Sequence, residues 1–252
     1  MAVIRLNKRW PQHKELRIQF LDGTWAMRNR VVMYARQWEE HVNLVFNFVS
    51  HGPSDIRISF DPKYMTLGHG ESWSSVGTNA RRKSLSQPTM LIRCSIMEDR
   101  DGGANTILHE FGHCLAFEHE HQSPEADIQW NRAVVLAESG MSAENTDQYI
   151  LTKFEKDGQV DCSSFDPTSV LMYTIPSRWT LDGFSADRVS VLSPLDKAFA
   201  AKHYPPLGCA PSASEHLSIS NNELLGGWTC LECRKGGWNQ YCHVRCRYYG
   251  VK

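Results

Sequence analysis

The segment HEFGHCLAFEH, residues 109–119, most constrains what this chain folds into, because it spaces three histidines around one carboxylate. His109 and His113 are four residues apart, so on a helix they share one face and direct two ring nitrogens at one ion. His119 lies six residues beyond His113, too far round for the same helix to present it. The spacing therefore predicts a helix that is followed at once by a sharp turn.

The residue types in this segment are those of a catalytic zinc site. Neutral imidazoles bind zinc, and three of them leave a fourth coordination position open to water. Glu110 follows the first histidine, where its carboxylate reaches that water as a general base without filling the coordination shell. We therefore predict that His109, His113 and His119 bind one catalytic Zn²⁺. Apolar residues interleaved with the histidines predict that the other face of the helix joins the core: Ile107, Leu108, Phe111, Leu115 and Phe117.

Length and composition are those of an enzyme-sized globular chain. Its 252 residues, 41% hydrophobic and 22% charged, are enough to bury a substantial core. The formal net charge of -1 creates no global field for nucleic acid, so we expect no nucleic-acid partner. No apolar run reaches the length of about 18 residues that a membrane-spanning helix needs, so we expect no membrane span.

The cysteines divide the chain unevenly. Three of the eight lie in the first 208 residues, and the other five crowd the last 44. A stretch rich in proline and glycine, residues 205–211, supplies linker composition at the break. We predict a main domain over residues 1–208 and a Cys-rich extension over residues 209–252. The start of the chain lacks the apolar core of a secretory signal, which fits either a cytoplasmic protein or a mature exported one. Cysteine usage favours the second, so we expect a secreted protein with disulfide bonds.

The tail segment CLECRKGGWNQYCHVRC, residues 230–246, combines C-x-x-C with C-H-x-x-C. A compact disulfide knot is the interpretation that we favour for an exported chain, and a second zinc ion in the tail is the alternative. Residues 230–252 carry five basic residues against Glu232 alone, together with Trp238 and three tyrosines. Such a composition suits contact with polysaccharide, cell wall or an anionic polymer, although the aromatic residues would equally fill a minimal core.

Hydrophobic periodicity predicts a mixture of strands and helices. Alternating or continuous apolar runs predict strands at residues 16–21, 55–60 and 89–96, the second of them half-buried, with Arg57 on its polar face. Helical spacing predicts helices at residues 26–46, 131–140, 144–154 and 194–204, the last with Pro194 in its first turn.

A second constellation, SVLMYTIP at residues 169–176, lies downstream of the histidines. The long histidine motif followed by an S-V-x-x-Y turn resembles the metzincins, zinc peptidases whose metal site rests on a methionine-containing turn. Glu120, directly after the third histidine, matches the astacin branch. HEFGHCLAFEHEHQSP and LSPLDKAFAAKHYP are similar to segments of secreted astacin-like peptidases of fungi and bacteria. The resemblance covers roughly residues 10–205 and leaves the tail outside.

The resemblance implies an α+β fold with a twisted, mostly parallel sheet, long helices and an active-site cleft. It implies zinc-dependent endopeptidase activity on protein or peptide substrates, with Glu110 as the general base. Tyr173 would be the tyrosine that in astacins binds zinc in the free enzyme and swings to the transition-state oxyanion. The alternative for Tyr173 is a buried core aromatic.

A different class of function stays open at this point. The chain would then be a catalytically weak or inactive zinc-containing binding module that attaches to glycans or cell wall through its aromatic, basic tail. Glu110 separates the two functions, because a degenerate binding module has no reason to keep the base. Its presence favours catalysis.

Three departures from the family pattern indicate that the chain resembles a divergent relative of the astacins. Ala116 stands where metzincins normally have glycine, and a positive φ there costs a non-glycine residue roughly 1 to 2 kcal/mol. Leu171 occupies the usual methionine position, with Met172 one place late, and leucine can fill the same apolar shelf. Ser123 and Ala126 replace charged residues that follow the motif in astacins.

Overall fold

A computed structural model of the chain describes residues 3–65 and 72–205. Its strands, in chain order, are β1 (Val3–Arg5), β2 (Glu15–Phe20), β3 (Val45–Val49), β4 (Ile56–Ser59), β5 (Trp73–Ser74), β6 (Met90–Leu91), β7 (Phe117–Glu118) and β8 (Val160–Cys162). Its helices are α1 (Trp25–Glu39), α2 (Ala104–Cys114), α3 (Arg132–Glu138), α4 (Ala143–Thr146) and α5 (Pro194–His203). The predicted α+β class is confirmed.

The larger sheet has five strands in the order β3-β2-β4-β6-β5. The pairs β2 with β3, β2 with β4, and β4 with β6 are parallel, and only the edge strand β5 is antiparallel to its neighbour. Helix α1 makes the crossover from β2 to β3, as a parallel pair requires. The expected mostly parallel sheet is therefore present, and β5 lies against α2, the helix that carries the histidines.

A smaller antiparallel sheet, in the order β7-β1-β8, holds the chain just after α2. Ile4 of β1 pairs with Phe117 of β7, and Val3 pairs with both Glu118 and Cys162. The backbone N–H of Arg5 also donates to the carbonyl of Ala116 at 3.0 Å. These bonds fix the segment between the second and third histidines against the N-terminal strand.

Helix α1 packs against α2 and covers its apolar face. The indole N–H of Trp38 donates to the carbonyl of Leu108 at 3.0 Å, and the Trp38 ring stacks on Phe117 with centroids 5.7 Å apart. The core residues predicted around the histidine motif are fully buried: Ile107, Leu108, Phe111, Leu115 and Phe117. Their burial anchors α2 in the centre of the domain.

The prediction of one helix over residues 26–46 was wrong at its C-terminal end. Helix α1 ends at Glu39, and Phe46 belongs to β3, beside β2. Val42, Leu44 and Phe46 are the buried residues of this stretch, which is a period of two and therefore a strand pattern. The carboxylate of Glu39 accepts a hydrogen bond from the Phe46 N–H at 2.6 Å and so joins the helix end to the strand.

Two strand predictions also need correction. Only Met90–Leu91 of residues 89–96 is a strand, and Cys94–Glu98 forms a 3-10 helix. Strand β4 is the central strand of the mostly parallel sheet and is buried on both faces, so Arg57 is buried instead of solvent-facing. The Arg57 guanidinium donates to the carbonyls of Gln87, Ser54 and Lys83.

The helices predicted at residues 131–140 and 194–204 are present as α3 and α5, with Pro194 at the first helical position. The segment predicted at 144–154 is helical only from Ala143 to Leu151, and its second part, Asp147–Leu151, is a π-helical turn. Within the described part of the chain, no helix is long and apolar enough to cross a membrane.

Contacts within the chain divide it into residues 1–204 and 205–252. The predictions for the tail, namely the disulfide knot, the second zinc ion and the polysaccharide contact, concern residues 206–252 and lie outside the described residues. The domain boundary at residue 208 likewise stays a prediction. Cys94, Cys114 and Cys162 are free thiols, so no disulfide bond joins two described residues.

Candidate active site

Asp101 fixes the start of α2, the helix that presents the first two histidines. Its carboxylate accepts hydrogen bonds from the N–H groups of Gly103 at 2.9 Å and Asn105 at 3.1 Å, and from the Ser190 hydroxyl at 2.6 Å. Partial burial alone would raise the pKa of Asp101, but these hydrogen bonds lower it below its usual value. A charged carboxylate at a helix N-terminus also interacts favourably with the helix dipole.

The three histidines of the motif converge on one point. The Nε2 atom of His113 lies 3.1 Å from Nε2 of His109 and 3.1 Å from Nε2 of His119. One ring nitrogen from each of the three lies within 4.8 Å of the others. Helix α2 ends at Cys114, and Ala116 with a φ of 73° reverses the chain so that His119 returns to the site. The turn predicted between the second and third histidines is confirmed.

Backbone carbonyls set the tautomers of two of these rings. Nδ1 of His109 donates to the carbonyl of Val170 at 2.8 Å, and Nδ1 of His113 donates to the carbonyl of Phe117 at 2.8 Å. A carbonyl only accepts, so each Nδ1 carries the proton and each Nε2 presents its lone pair to the shared point. Lone pairs directed at one another repel, and a cation between them removes the repulsion.

The donor set fits zinc. Tetrahedral zinc with Zn–N bonds near 2.0 to 2.1 Å places its nitrogen ligands roughly 3.3 Å apart, close to the spacing of these Nε2 atoms. Burial, more than any other cause, lowers the pKa of His109 to about 4 and that of His119 well below its usual value. Neutral rings are the form in which histidine binds a metal, so the environment prepares them for it.

Glu110 is the carboxylate of the site. Its side chain is 5% exposed, and its Oε2 atom has no hydrogen-bond partner among the described residues. Burial raises the pKa of Glu110 to about 8. Glu110 lines the same pocket as His109 and Tyr173. A buried carboxyl group without a partner is costly, and such groups cluster at sites where a ligand or a reaction uses them.

Tyr173 lies against the histidines and also packs against the apolar cluster of Met172, Ile175 and Ala186. Its ring centroid is 4.3 Å from that of His119, 4.2 Å from that of His121 and 6.4 Å from that of His109. Burial first, and then the carboxylates of Glu110 and Glu118, raise the pKa of its phenol, so it stays a hydrogen-bond donor. The structure thus brings together all five residues that the sequence pointed to.

The turn at residues 169–173 is hydrogen-bonded to the histidine segment through two of its backbone carbonyls. Its Val170 carbonyl holds His109, and its Leu171 carbonyl accepts a hydrogen bond from the Glu120 N–H at 3.0 Å. The Glu120 carboxylate accepts in turn from the Asp166 N–H at 2.7 Å. Burial raises the pKa of Glu120 to about 7. The residue after the third histidine therefore ties that histidine to the turn.

Comparison with known proteins agrees with this geometry. Myroilysin, in one solved structure, is 30% identical to this chain, with a TM-score of 0.75 over 81% of this chain and 99% of that one. The chain belongs to the astacin-like zinc metallopeptidases. Zinc is the cofactor of this family, and the chain's three histidines provide a site for it.

Further relatives of this astacin-like chain are more distant. A second myroilysin structure is 32% identical, with a TM-score of 0.59 over 79% of this chain and 86% of that one. The hatching enzyme HCE-1, a zinc-protease from Oryzias latipes, is 14% identical with a TM-score of 0.52 over 79% of this chain and 94% of that one, and so shares the fold. A zinc metalloproteinase, nas-8 of Steinernema carpocapsae, is 27% identical over 245 residues, which are 90% of this chain. This chain spans 51% of that curated relative's length. No protein-family model matches the chain.

The departures from the astacin pattern have a clear structural basis. Ala116 does adopt the left-handed conformation that favours glycine, as expected, and its side chain is fully buried. Leu171 is also fully buried and packs against α2 at Gly112. It therefore makes the apolar contact that we expected a leucine to make at the usual methionine position. Met172, one place later, packs in a second apolar cluster with Ile175 and Ala186.

Sequence reasoning missed the residue that anchors the turn of this astacin-like site. Both carboxylate oxygens of Asp196 are used: one accepts from the Ser169 hydroxyl at 2.8 Å, the other from the N–H groups of Val170 at 3.1 Å and Ser193 at 2.9 Å. Asp196 and Ser193 also form the capping box of α5. The S-P-L-D pattern could have revealed the cap, but nothing in it indicates that the same carboxylate reaches the turn.

A pocket of about 370 Å³ is lined in part by His109, Glu110 and Tyr173 of this astacin-like chain. Most of the residues that line this pocket could not be predicted from the sequence, because they come from separate segments with no shared motif. The lining residues are Ser72, Arg93, Asn105, Thr106, His109, Glu110, Met172, Tyr173, Thr174 and Arg188.

Proposed function

We propose that this protein is a zinc-dependent endopeptidase, in which His109, His113 and His119 bind the metal. The observation that carries the proposal is the convergence of three Nε2 atoms beside a buried carboxylate that has no described partner. A purely structural zinc site is closed by its ligands, whereas three histidines leave a position open next to a pocket. Membership of a family of zinc metallopeptidases supports the same activity.

Each step of peptide hydrolysis has a residue to perform it. When bound, zinc supplies Lewis acidity, which makes water easier to deprotonate and a peptide carbonyl easier to attack. Glu110 takes the proton from the attacking water and returns it to the departing amine. Burial raises its pKa in the metal-free site, and the positive charge of a bound zinc ion would lower it again, which favours the ionised form that accepts the proton. Val170 and Phe117 keep the imidazoles of His109 and His113 in one orientation through the cycle.

In this proposal Tyr173 stabilises the oxyanion that forms when water attacks the peptide carbonyl. Its phenol stays protonated, because burial and nearby carboxylates raise its pKa. Contact with His119 holds the ring beside the proposed metal position. A preorganised donor of this kind contributes about 2.7 to 4 kcal/mol to transition-state stabilisation in other enzymes.

The test compares the wild type with Glu110→Ala for zinc content and for cleavage of casein. We expect both proteins to bind one zinc ion and only the wild type to release peptides, with internal fragments showing cleavage within the chain. Glu155→Ala, which changes an exposed glutamate away from the pocket lining, is the matched control and should cleave normally. Bound zinc without cleavage by the wild type would overturn the proposal and favour a non-catalytic binding module.

We also propose that the protein acts outside the cell and that its tail forms disulfide bonds. The support is the concentration of five cysteines in the last 44 residues. Mass measurement of the secreted protein before and after reduction and alkylation tests both statements. Recovery from the cytoplasm alone, with all thiols free, would contradict them.

A further inference from the structure

His121 is a fourth histidine beside the site, and the proposed mechanism does not use it. It is 1% exposed, and its ring centroid lies 4.2 Å from that of Tyr173 and 5.3 Å from that of His119. The rings of Tyr173 and His119 are 4.3 Å apart, so the three rings pack against one another. The tyrosine ring therefore contacts one proposed zinc ligand and one histidine outside the group of three that converges on the metal position.

A π-helical turn fixes the orientation of His121. The turn, Asp147–Leu151, is closed by a hydrogen bond from the Thr152 N–H to the Asp147 carbonyl, five residues back, at 2.8 Å. Nε2 of His121 donates to the carbonyl of Tyr149, within the turn, at 3.1 Å. Because a carbonyl only accepts, Nε2 carries the proton, and the ring cannot rotate without losing this bond. Turns of this kind are rare and are frequent at functional sites.

The next residue, Gln122, joins the same turn to the segment after the third histidine. Its side-chain amide donates to the carbonyls of Gln148 and Thr152, both at 2.9 Å. Its own carbonyl accepts a hydrogen bond from the Phe154 N–H at 2.8 Å. The backbone carbonyl that accepts from the histidine ring is therefore held in place by the bonds on either side of it.

Packing alone does not account for a histidine at position 121. The Nδ1 atom of His121 is buried and has no hydrogen-bond partner among the described residues. A buried acceptor without a partner is costly, and a phenylalanine would offer the same aromatic surface without that cost. What a phenylalanine lacks is the donor to Tyr149. Histidine thus combines an aromatic face for Tyr173 with a polar anchor that fixes this face.

We infer that His121 is a positioning residue, which holds the phenol ring of Tyr173 in the orientation from which it donates to the oxyanion. The turn at Asp147–Leu151 anchors His121, and His121 packs against Tyr173. A donor that is oriented in advance needs no reorganisation as charge develops, so loss of its support slows the reaction without weakening substrate binding. This inference rests on the proposed peptidase function and adds a residue to the same site.

The kinetic test is a double-mutant cycle between His121 and Tyr173. His121→Gln keeps a donor for the Tyr149 carbonyl and removes the ring, so it should lower kcat by roughly tenfold with unchanged KM and zinc content. In the Tyr173→Phe background the same change should have no further effect on kcat, because no phenol is left to position. His121→Phe keeps a ring and removes the donor, so its kcat should lie between those of the wild type and His121→Gln.

A second measurement, independent of activity, is fluorine NMR of the zinc-free protein labelled with 3-fluorotyrosine. The Tyr173 resonance is the one that is absent from the Tyr173→Phe protein. The wild type should give one narrow resonance, because the ring is held in one orientation, and His121→Gln should give a broadened or split one. His203→Gln is the matched control, since His203 is also buried, with its ring 4.4 Å from that of Phe199. It should change neither kcat nor the Tyr173 resonance.

The outcomes separate the inference from the function on which it rests. An equal fold-loss of kcat from His121→Gln with and without the Tyr173 phenol would overturn the inference, because His121 would then act through another group. A Tyr173 resonance that stays narrow in His121→Gln would also overturn it. Absence of cleavage by the wild type would overturn the proposed function, while the fluorine spectra would still decide whether His121 holds the ring. Thermal melting shows whether each variant is folded, and His121→Phe carries both measurements if His121→Gln does not fold.

Discussion

Leu171 packs against the bare backbone of Gly112, so closely that a Cβ atom on Gly112 would lie 2.9 Å from Leu171 Cδ2. Gly112 is in the helix that carries His109 and His113, and Leu171 is in the turn whose neighbouring carbonyl, that of Val170, holds His109. The contact therefore sets the distance between the helix and the turn beneath it. A leucine at this position does the packing that the family pattern assigns to methionine.

Gly112→Ala should destabilise the protein by about 1 to 3 kcal/mol, because the added methyl group overpacks this contact. Leu171→Ala should also destabilise it, by about 2 to 5 kcal/mol, because it leaves a cavity. Since the two changes compensate in volume, the double variant should be more stable than the sum of the single effects predicts. Denaturant unfolding measures all three, and strict additivity would show that the contact is not what limits the spacing.

Ala116→Gly should raise the free energy of unfolding by up to about 1.6 kcal/mol. Relief of the positive φ at this turn is worth about 1 to 2 kcal/mol, and the greater freedom of glycine in the unfolded chain offsets about 0.4 to 1 kcal/mol of it. Ala116→Val, with a branched side chain in the same conformation, should be clearly less stable than the wild type. If the glycine variant is the less stable one, packing of the buried methyl group outweighs backbone strain.

Asp196→Asn should loosen the turn under the histidines. The substitution removes a charged acceptor from Ser169, Val170 and Ser193, and hydrogen bonds of this kind contribute about 1.5 to 3 kcal/mol each. We expect both a lower free energy of unfolding and weaker zinc binding, measured by competition with a chelator. Asp187→Asn, at an exposed position, is the control and should change neither. Unchanged zinc affinity in a destabilised Asp196→Asn protein would confine Asp196 to a folding role.

Tyr173→Phe should lower kcat by about 10²- to 10³-fold, as the loss of an oxyanion donor does, with little effect on KM or zinc content. Tyr204→Phe is a structural control, because its phenol is buried and donates to the carbonyl of Leu115 at 2.9 Å. That variant should lose stability and keep kcat. Equal kcat values for the wild type and Tyr173→Phe would show that the phenol does not take part in catalysis and that Tyr173 only packs against its neighbours.

His41 should make stability depend on pH between about 6.5 and 4. Burial, and to a lesser extent the charge of Lys197, lowers the pKa of His41 from 6.5 to about 4. In that window the unfolded chain binds a proton at this residue and the folded chain does not, so stability falls as the pH falls. Below about pH 4 both forms are protonated and the loss is complete.

The measurement is urea unfolding of the metal-free protein, with chelator present, at pH 7 and at pH 4.5. His41→Gln should lose less stability between these two values than the wild type does. His51→Gln, at an exposed histidine, should behave as the wild type. An identical pH dependence in the His41→Gln protein would contradict the assignment.

Much of the fold could be predicted where the pattern was local and unambiguous. The α+β class, the helix at the histidine motif and the closing helix α5 follow from periodicity and from residues such as Pro194 that mark helix ends. The predicted helix extended too far, to Phe46, because the apolar residues before Phe46 fit a helical as well as a strand spacing. The structure shows burial of every second residue there, which is the strand pattern. The prediction was also wrong for Arg57, because single-strand patterns do not reveal how many layers cover a sheet.

By itself, the sequence determined the chemical character of the site. The spacing of His109, Glu110 and His113 follows from the period of one helix, and it is independent of the rest of the fold. Only the tertiary structure decided what surrounds them. Val170 holds His109 from 61 residues away, and Arg188 reaches Thr106 across 82 residues. Such partners meet because sheets and helices pack around one core, and no local pattern encodes which distant segments that packing brings together.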